Sequence, residues 1–236
     1  MAYQRFFSIV IPAHNEESLL RKTLDCVVAL NYPQDRYEAV VVENGSDDAT
    51  HEIAKRYDSE HMNIRAYTSK EKGVSKARNW GLTQCSPQFE WVLFMDADTF
   101  LQPTFLQELN EYLEQHPKAG YGTTTVLLDD FSLVGRFWTH YINHSDRLIK
   151  VLHRIHIIRK DLTSKASYDE ELSSGEDMKY GYALAKHGTY FFMRTKSVIT
   201  SARRFQKKGY LKMFFINMQA AFPKKVLKKK GWEVIR

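Results

Sequence analysis

Four short apolar runs, each followed by a stretch with helical periodicity, constrain this chain more than any other feature. The runs cover residues 6–11, 39–42, 64–67 and 91–95. The run at 64–67 is short, and the other three do not alternate apolar with polar residues, so they read as strands buried on both faces. After the first run, Leu20, Leu24, Val27 and Val28 fall at helical spacing behind Glu16 and Glu17, acids at the positive end of a helix dipole. Ser46-Asp47-Asp48 predicts an N-cap for a helix through Ile53, Ala54 and Tyr57. A third helix is expected over about 74–85, and Pro103 opens a fourth through Phe105, Leu106, Leu109, Tyr112 and Leu113. The order β-α-β-α-β-α-β-α predicts an α/β, Rossmann-like fold with a mostly parallel central sheet and helices on both faces. Ligands of such sheets bind beyond the carboxyl ends of the strands. Three polar clusters fall there: Ala13-His14-Asn15-Glu16, Glu43-Asn44-Gly45-Ser46 and Asp96-Ala97-Asp98.

The texture changes after residue 116. A strand is expected within 120–128, and a partly helical region rich in aromatics, His and Arg from 131 to about 160. Ser173-Ser174-Gly175-Glu176-Asp177 opens a helix that Gly188 ends, and a strand-like Tyr190-Phe191-Phe192-Met193 follows. No repeat or linker marks a boundary. The expected organisation is one domain with a βα half over 1–116 and a second half over 117–209, followed by a helical, basic amphipathic extension over 210–236. Charge supports the last division. Residues 203–236 hold eleven of the 34 Lys and Arg but one of the 28 acids, so the body is slightly acidic and the tail strongly basic. That argues against a nucleic-acid groove across the protein and for a local anionic partner, a phosphate or a membrane surface reached through 210–236. Cys26 and Cys85 are too few for a disulfide scaffold and are expected as buried free thiols in helices. With no signal-peptide pattern and no apolar run long enough to span a bilayer, the expected location is cytoplasmic, at most peripheral to the inner membrane face.

Asp96-Ala97-Asp98 is the sharpest chemical feature. Two carboxylates at the end of a buried strand repel unless a cation sits between them and a ligand. Mg²⁺ or Mn²⁺ is suited to that, because it uses one or two carboxylates together with substrate phosphates. A plainer reading makes Asp98 or Thr99 the cap of the helix after Pro103. Glu176 and Asp177 read equally as acids serving a helix dipole, Gly45 as a tight turn, and Arg78, Arg203 and Arg204 as solvated cations. The histidines at 140, 144, 153 and 156 follow no closed zinc pattern and are expected to face solvent or acceptor.

Together these runs resemble glycosyltransferase family 2, with the GT-A fold of short soluble members, from Phe7 to about Gly209. The resemblance rests on I-V-I-P-A-H-N-E-E at 9–17, V-V-V-E-N-G-S-D-D-A-T at 40–50, K-G-V-S-K-A-R-N-W-G at 72–81, F-M-D-A-D at 94–98 and S-G-E-D-M at 174–178. It implies an enzyme that moves a sugar from a nucleotide-diphosphate sugar to an acceptor hydroxyl or phosphate with inversion, assisted by Mg²⁺ or Mn²⁺. It implies that Pro12, Ala13 and Glu16 line the nucleotide pocket, and that Glu43 meets the base where the family usually has Asp. Gly73, Arg78 and Asn79 would touch base and phosphate, Asp96 would face the ribose or metal-bound water, and Ala97 would line the nucleotide-sugar site. Residues 1–116 would be the nucleotide-sugar-binding half and 117–209 the acceptor-binding and catalytic-base half. Asp98 would ligate the metal, Asp177 would be the catalytic base supported by Glu176, and Arg203 and Arg204 would meet the diphosphate. The acceptor would be a sugar, a lipid-linked group or another hydroxyl. Two other readings stay open: a nucleotidyltransferase acting on sugar phosphates, which lacks its expected Gly-rich basic loop here, and a non-catalytic nucleotide-sugar-binding protein. A dinucleotide-binding dehydrogenase is excluded by the missing G-x-G-x-x-G after the first strand.

Overall fold

A computed structural model describes residues 4–172, 174–210 and 212–213. Strands β1 (Phe7–Ala13), β2 (Tyr37–Glu43), β3 (Ile64–Thr68) and β4 (Trp91–Met95) form the parallel part of a seven-stranded sheet. Ile9 faces Ala39 and Leu93 in register, and every residue of β1, β2 and β4 is buried, as the uninterrupted apolar runs require. Pro12 fits inside β1 because β4 stops pairing at Val10, so its missing N–H costs no ladder bond on that side.

Successive side chains point to opposite faces, so β1 serves two cores. Ile9 and Ile11 pack with α1 (Glu17–Val28), α2 (Thr50–Glu60) and α4 (Phe105–Gln115) through Leu20, Leu24, Tyr57, Phe105 and Leu109. Val10, with Val40, Val42 and Phe94, packs on the other face with Ala77 of α3 (Val74–Thr83). At Gly81 a Cβ would lie 2.6 Å from Val10 Cγ1 and 2.9 Å from Val42 Cγ2, so only glycine lets α3 sit this close.

Beyond α4 the sheet becomes mixed. β5 (Thr99–Leu101) leaves it directly after β4. β6 (Ala119–Thr124) joins the far side, and β7 (Leu127–Leu128) does not. The single strand expected within 120–128 is thus two short strands in different sheets. The partly helical character expected for 131–160 is borne out, the helix taking its first part. α5 (Leu133–Ile149) is followed by β8 (Ile155–Arg159), which inserts antiparallel between β4 and β6. α6 (Lys160–Thr163), α7 (Glu176–Leu184), β9 (Thr189–Met193), β10 (Val198–Thr200) and α8 (Arg203–Lys208) complete the described elements.

The main sheet runs β3-β2-β1-β4-β8-β6-β9, and a small second sheet runs β5-β10-β7. In the latter, β10 lies antiparallel to β5 and parallel to β7. Ser201 N donates to Asp98 O at 3.0 Å, which brings α8 to the end of β4. Beneath α8, Phe205, Ala202 and Met213 pack with Leu128, Trp138 and Ile142 of β7 and α5. Of the basic tail expected over 210–236, only Tyr210, Lys212 and Met213 are among the described residues; Ser173 also lies outside them. Cys26 lies in α1, but Cys85 falls just past α3; both thiols are free and only partly buried.

Candidate active site

The three polar clusters leave the carboxyl ends of β1, β2 and β4 on one edge of the sheet, and the first two brace each other. Asn15 takes a left-handed backbone, φ 54°; its amide N–H donates to Ser46 Oγ at 3.1 Å, and its Oδ1 accepts from Asp47 N at 2.9 Å. Glu16 N donates to Thr50 Oγ1 at 2.8 Å. The expected Ser46–Asp48 cap is replaced by this bracing: α2 starts at Thr50, whose N–H donates to Asp48 Oδ1 at 3.0 Å. Glu43 is buried and turns onto its own turn, accepting from Ser46 N at 2.5 Å. Pro12 and Ala13 form the buried last turn of β1, and Gly73, at φ 138°, precedes α3.

Two arginines organise the carboxylates. Arg78, on α3, is 2% exposed, so it is no solvated helix residue. Its Nη1 donates to Asp177 Oδ1 at 2.6 Å and approaches Glu176 Oε1 at 3.5 Å; its Nη2 donates to Asp96 Oδ1 at 2.9 Å. This joins the end of β4 to the opening of α7, where Gly175, at φ 78°, turns the chain. Arg203, on α8, pairs with Glu16, its Nη2 lying 2.5 Å from Oε2, and stands 3.5 Å from Asp98 Oδ2. Asp96 and Asp98 therefore belong to different circuits, with Ala97 between them held by Thr23 Oγ1 donating to its carbonyl at 2.6 Å. Thr99 starts β5 and caps no helix. Arg204 is exposed and acts on Asp96 and Asp98 by charge alone.

Burial works against every charge here. It raises the Glu176 carboxyl to about 7, with repulsion from Asp177 adding to it. It also raises Asp177 above the usual carboxylate range, with Arg78 pulling the other way. At the opening of α7 the helix dipole favours the charged form of Asp177, and burial outweighs it. Burial and the neighbouring Asp96 push Asp98 up. Burial opposes the charge of Asp96 as well, but Arg78 and the other nearby cations outweigh it and hold this carboxyl low.

No group of three or more His, Cys, Asp or Glu side chains among the described residues is arranged to hold a metal ion. Asp98, buried and approached by Arg203 only at 3.5 Å, fits a cation bound through one protein carboxylate and substrate phosphates, as Mg²⁺ and Mn²⁺ are.

The motifs did not single out several neighbours. His156 was expected to face solvent or acceptor but is fully buried on β8; its Nδ1 lies 2.5 Å from Tyr168 Oη and its Nε2 3.7 Å from Asp177 Oδ1. Burial, then Arg78, push its proton affinity well down, so it is neutral. Its signal was a lone polar residue within Ile155-His156-Ile157-Ile158. His153 Nδ1 pairs with Asp146 at 3.0 Å, whereas His140 and His144 are exposed on α5. Arg154, at φ 60°, donates to Thr200 Oγ1 at 3.1 Å near the Asp96–Asp98 turn. Asn79 commits its amide to the 168–170 loop, donating to Tyr168 O at 2.9 Å and accepting from Tyr168 N at 3.0 Å. A cavity of about 950 Å³, lined by Arg5, Trp91 and Arg159 among others, lies at the opposite edge, away from these carboxylates.

The profile of Glycosyl transferase family 2 matches residues 8–231. Glycosyltransferase AglE of Haloferax volcanii is 37% identical over 94 residues, 39% of this chain and 30% of that protein. The chain spans about a third or less of the curated relatives it matches first, with 30%, 23% and 19% of their lengths covered. Among solved structures, Staphylococcus aureus TarS 1-349 in complex with UDP-GlcNAc superposes with a TM-score of 0.70 at 20% identity, covering 83% of this chain and 58% of that one. The mannosyltransferase PcManGT of Pyrobaculum calidifontis, in complex with GDP-Man and Mn²⁺, gives 0.67 at 18% identity, covering 92% and 65%. These two likenesses establish the fold as GT-A.

Proposed function

The chain belongs to glycosyl transferase family 2, and from that premise we propose that it is an inverting, metal-assisted enzyme moving a sugar from a nucleotide-diphosphate sugar to an acceptor hydroxyl or phosphate. The observation that carries this reading is the Arg78 circuit, which sets Asp177 beside the strand-end Asp96 at the carboxyl edge of the sheet. The donor nucleotide lies along Pro12, Ala13, Glu16, Glu43 and Gly73, with its ribose toward Asp96 and Ala97. Asn79 acts through the loop it holds.

Asp177 accepts the proton of the acceptor hydroxyl as that oxygen attacks the anomeric carbon. The bond from that carbon to the diphosphate breaks with both electrons leaving on the diphosphate, and a single displacement from the opposite face inverts the centre. A base whose proton affinity has been raised by burial suits proton abstraction near neutral pH. Glu176 keeps a second acid beside it, and the positive Arg78 limits the repulsion. Asp98 would hold Mg²⁺ or Mn²⁺, which supplies positive charge against the diphosphate leaving group. Arg203, 3.5 Å from Asp98, and Arg204, which acts on Asp98 through its charge, add positive charge against the same phosphates. Two free thiols suit a reducing, cytoplasmic setting.

The test is a thermal-shift titration with UDP, GDP and dTDP, with and without Mn²⁺, on the parent and Asp98→Asn. One nucleotide should stabilise the parent only with the metal, and Asp98→Asn should lose that response while keeping its fold. Unchanged nucleotide affinity and EDTA sensitivity in the variant would remove the metal assignment. Nucleotide binding without any hydrolysis or transfer of a labelled donor sugar would favour a non-catalytic binding protein.

A further inference from the structure

Eight large apolar side chains stand well out into solvent among the described residues, and six of them cluster on or beside α5: Phe131, Leu133, Val134, Phe137, Leu148 and Ile149. They are not spare core residues. α5 already packs inward through Gly135, Trp138 and Ile142, and a Cβ at Gly135 would lie 2.2 Å from Asp130 O. At roughly 100° per residue, Leu133, Val134, Phe137 and Leu148 share one arc of about 100° on the outer side of the helix, with half-buried Tyr141 and exposed His144 between Phe137 and Leu148. Along one edge of that arc run Arg136, His140 and Arg147, all exposed. The one acid of α5, Asp146, sits on another face, paired with His153. On the α8 side, Trp138 stacks on Tyr210, 5.9 Å between ring centroids, and exposed Lys207 and Lys212 add positive charge.

We propose that the outer face of α5 docks on an anionic lipid bilayer. A concentration of exposed large apolar side chains on one helix marks a contact surface. An apolar arc bordered by cations and free of acids is complementary to negatively charged headgroups, with the aliphatic and aromatic tips entering the acyl boundary. The proposal rests on the residues of α5 and not on the lysines at 224–230, and it holds whatever the acceptor is. Its place in the fold gives it meaning: Asp129, just before α5, accepts from Ala202 N at 2.7 Å, next to Arg203. A docked α5 therefore holds the Arg203 rim of the cleft close to the lipid headgroups.

The experiment is co-sedimentation of the full chain with vesicles of phosphatidylcholine alone or with about one third phosphatidylglycerol. The parent should bind the anionic vesicles, bind them less as salt rises, and leave neutral vesicles largely free. Phe137→Glu with Leu148→Glu should lower the bound fraction at least ~10-fold at an unchanged melting temperature. If the glutamates unfold the chain, Phe137→Ser with Leu148→Ser applies the same test. Equal binding by parent and variant would assign the membrane contact to other residues, and no binding by either would end the proposal. A parent dimer in sedimentation velocity that the variant abolishes would mean that a second copy, not lipid, covers this face.

Discussion

Arg78 and Arg203 each tie separate elements together through carboxylates at the same sheet edge, one from inside the protein and the other from its rim. Arg78 is 2% exposed and sits on a helix that Gly81 presses against Val10 and Val42, so its position is set by the core. Arg203 has a side chain 17% exposed, on a six-residue helix whose place depends on the small second sheet. Arg78 answers three acids, all of them at least partly desolvated. Arg203 answers two, and with Asp98 only at 3.5 Å. The inner arginine holds in place groups that must not move. The outer one keeps part of its side chain open to solvent beside Glu16 and Asp98.

The strongest way to break this contrast is Arg78→Met. Removing the cation strands Asp96, Glu176 and Asp177 together, which should cost about 3–5 kcal/mol and lower the melting temperature by roughly 10 °C. A melting curve like the parent's would show that the acids simply take up protons. Next comes Asp177→Asn, which keeps shape and much of the hydrogen bonding but cannot take a proton. It should bind donor and metal as the parent does, yet transfer sugar at least ~10²-fold more slowly. Near-normal single-turnover transfer would return the Glu-Asp pair to a helix-opening role and send the search for the base elsewhere.

A pH series sharpens the contrast further. The Glu176 carboxyl stands at about 7 in the folded protein against 4.5 ordinarily. Its contribution to stability is therefore fully present below 4.5 and is lost as pH rises toward 7. Glu176→Gln should flatten the fall in melting temperature across that window, and an unaltered slope would assign the effect to another group. The smallest change is expected from Arg203→Gln: stability within about 1 kcal/mol of the parent, with metal-dependent nucleotide affinity weakened several-fold in calorimetry. A loss of stability as large as that of Arg78→Met would erase the distinction between inner and outer arginines.

Much of this architecture was legible because buried parallel strands have a local signature. The apolar runs at 6–11, 39–42 and 91–95 became β1, β2 and β4, and the acids after them face one edge. β8 was hidden for a physical reason. It is short, follows a helix and the irregular His153-Arg154 turn, and carries a histidine in its middle, so its burial depends on partners on both sides. The polar loops misled differently: Asn15, Ser46, Asp48 and Thr50 spend their side chains on one another's backbones, and a motif alone does not separate bracing from binding. The role of Arg78 was beyond local reading because its partners lie 18 and 99 positions away.

The small sheet also imposes an order on how the protein is made. Thr99, one residue past Asp98, pairs with Thr200 of β10. A growing chain exposes the first four strands and their helices long before that partner exists. At ~5–20 residues per second, synthesis of the intervening hundred or so residues takes roughly 5–20 s. During that interval Asp98 has neither β10 nor Arg203 beside it, and Arg78 lacks Asp177. The nascent chain thus carries an unfinished, acid-rich edge at the ends of β1, β2 and β4, and the Arg78 and Arg203 circuits close only after α7, β10 and α8 have emerged.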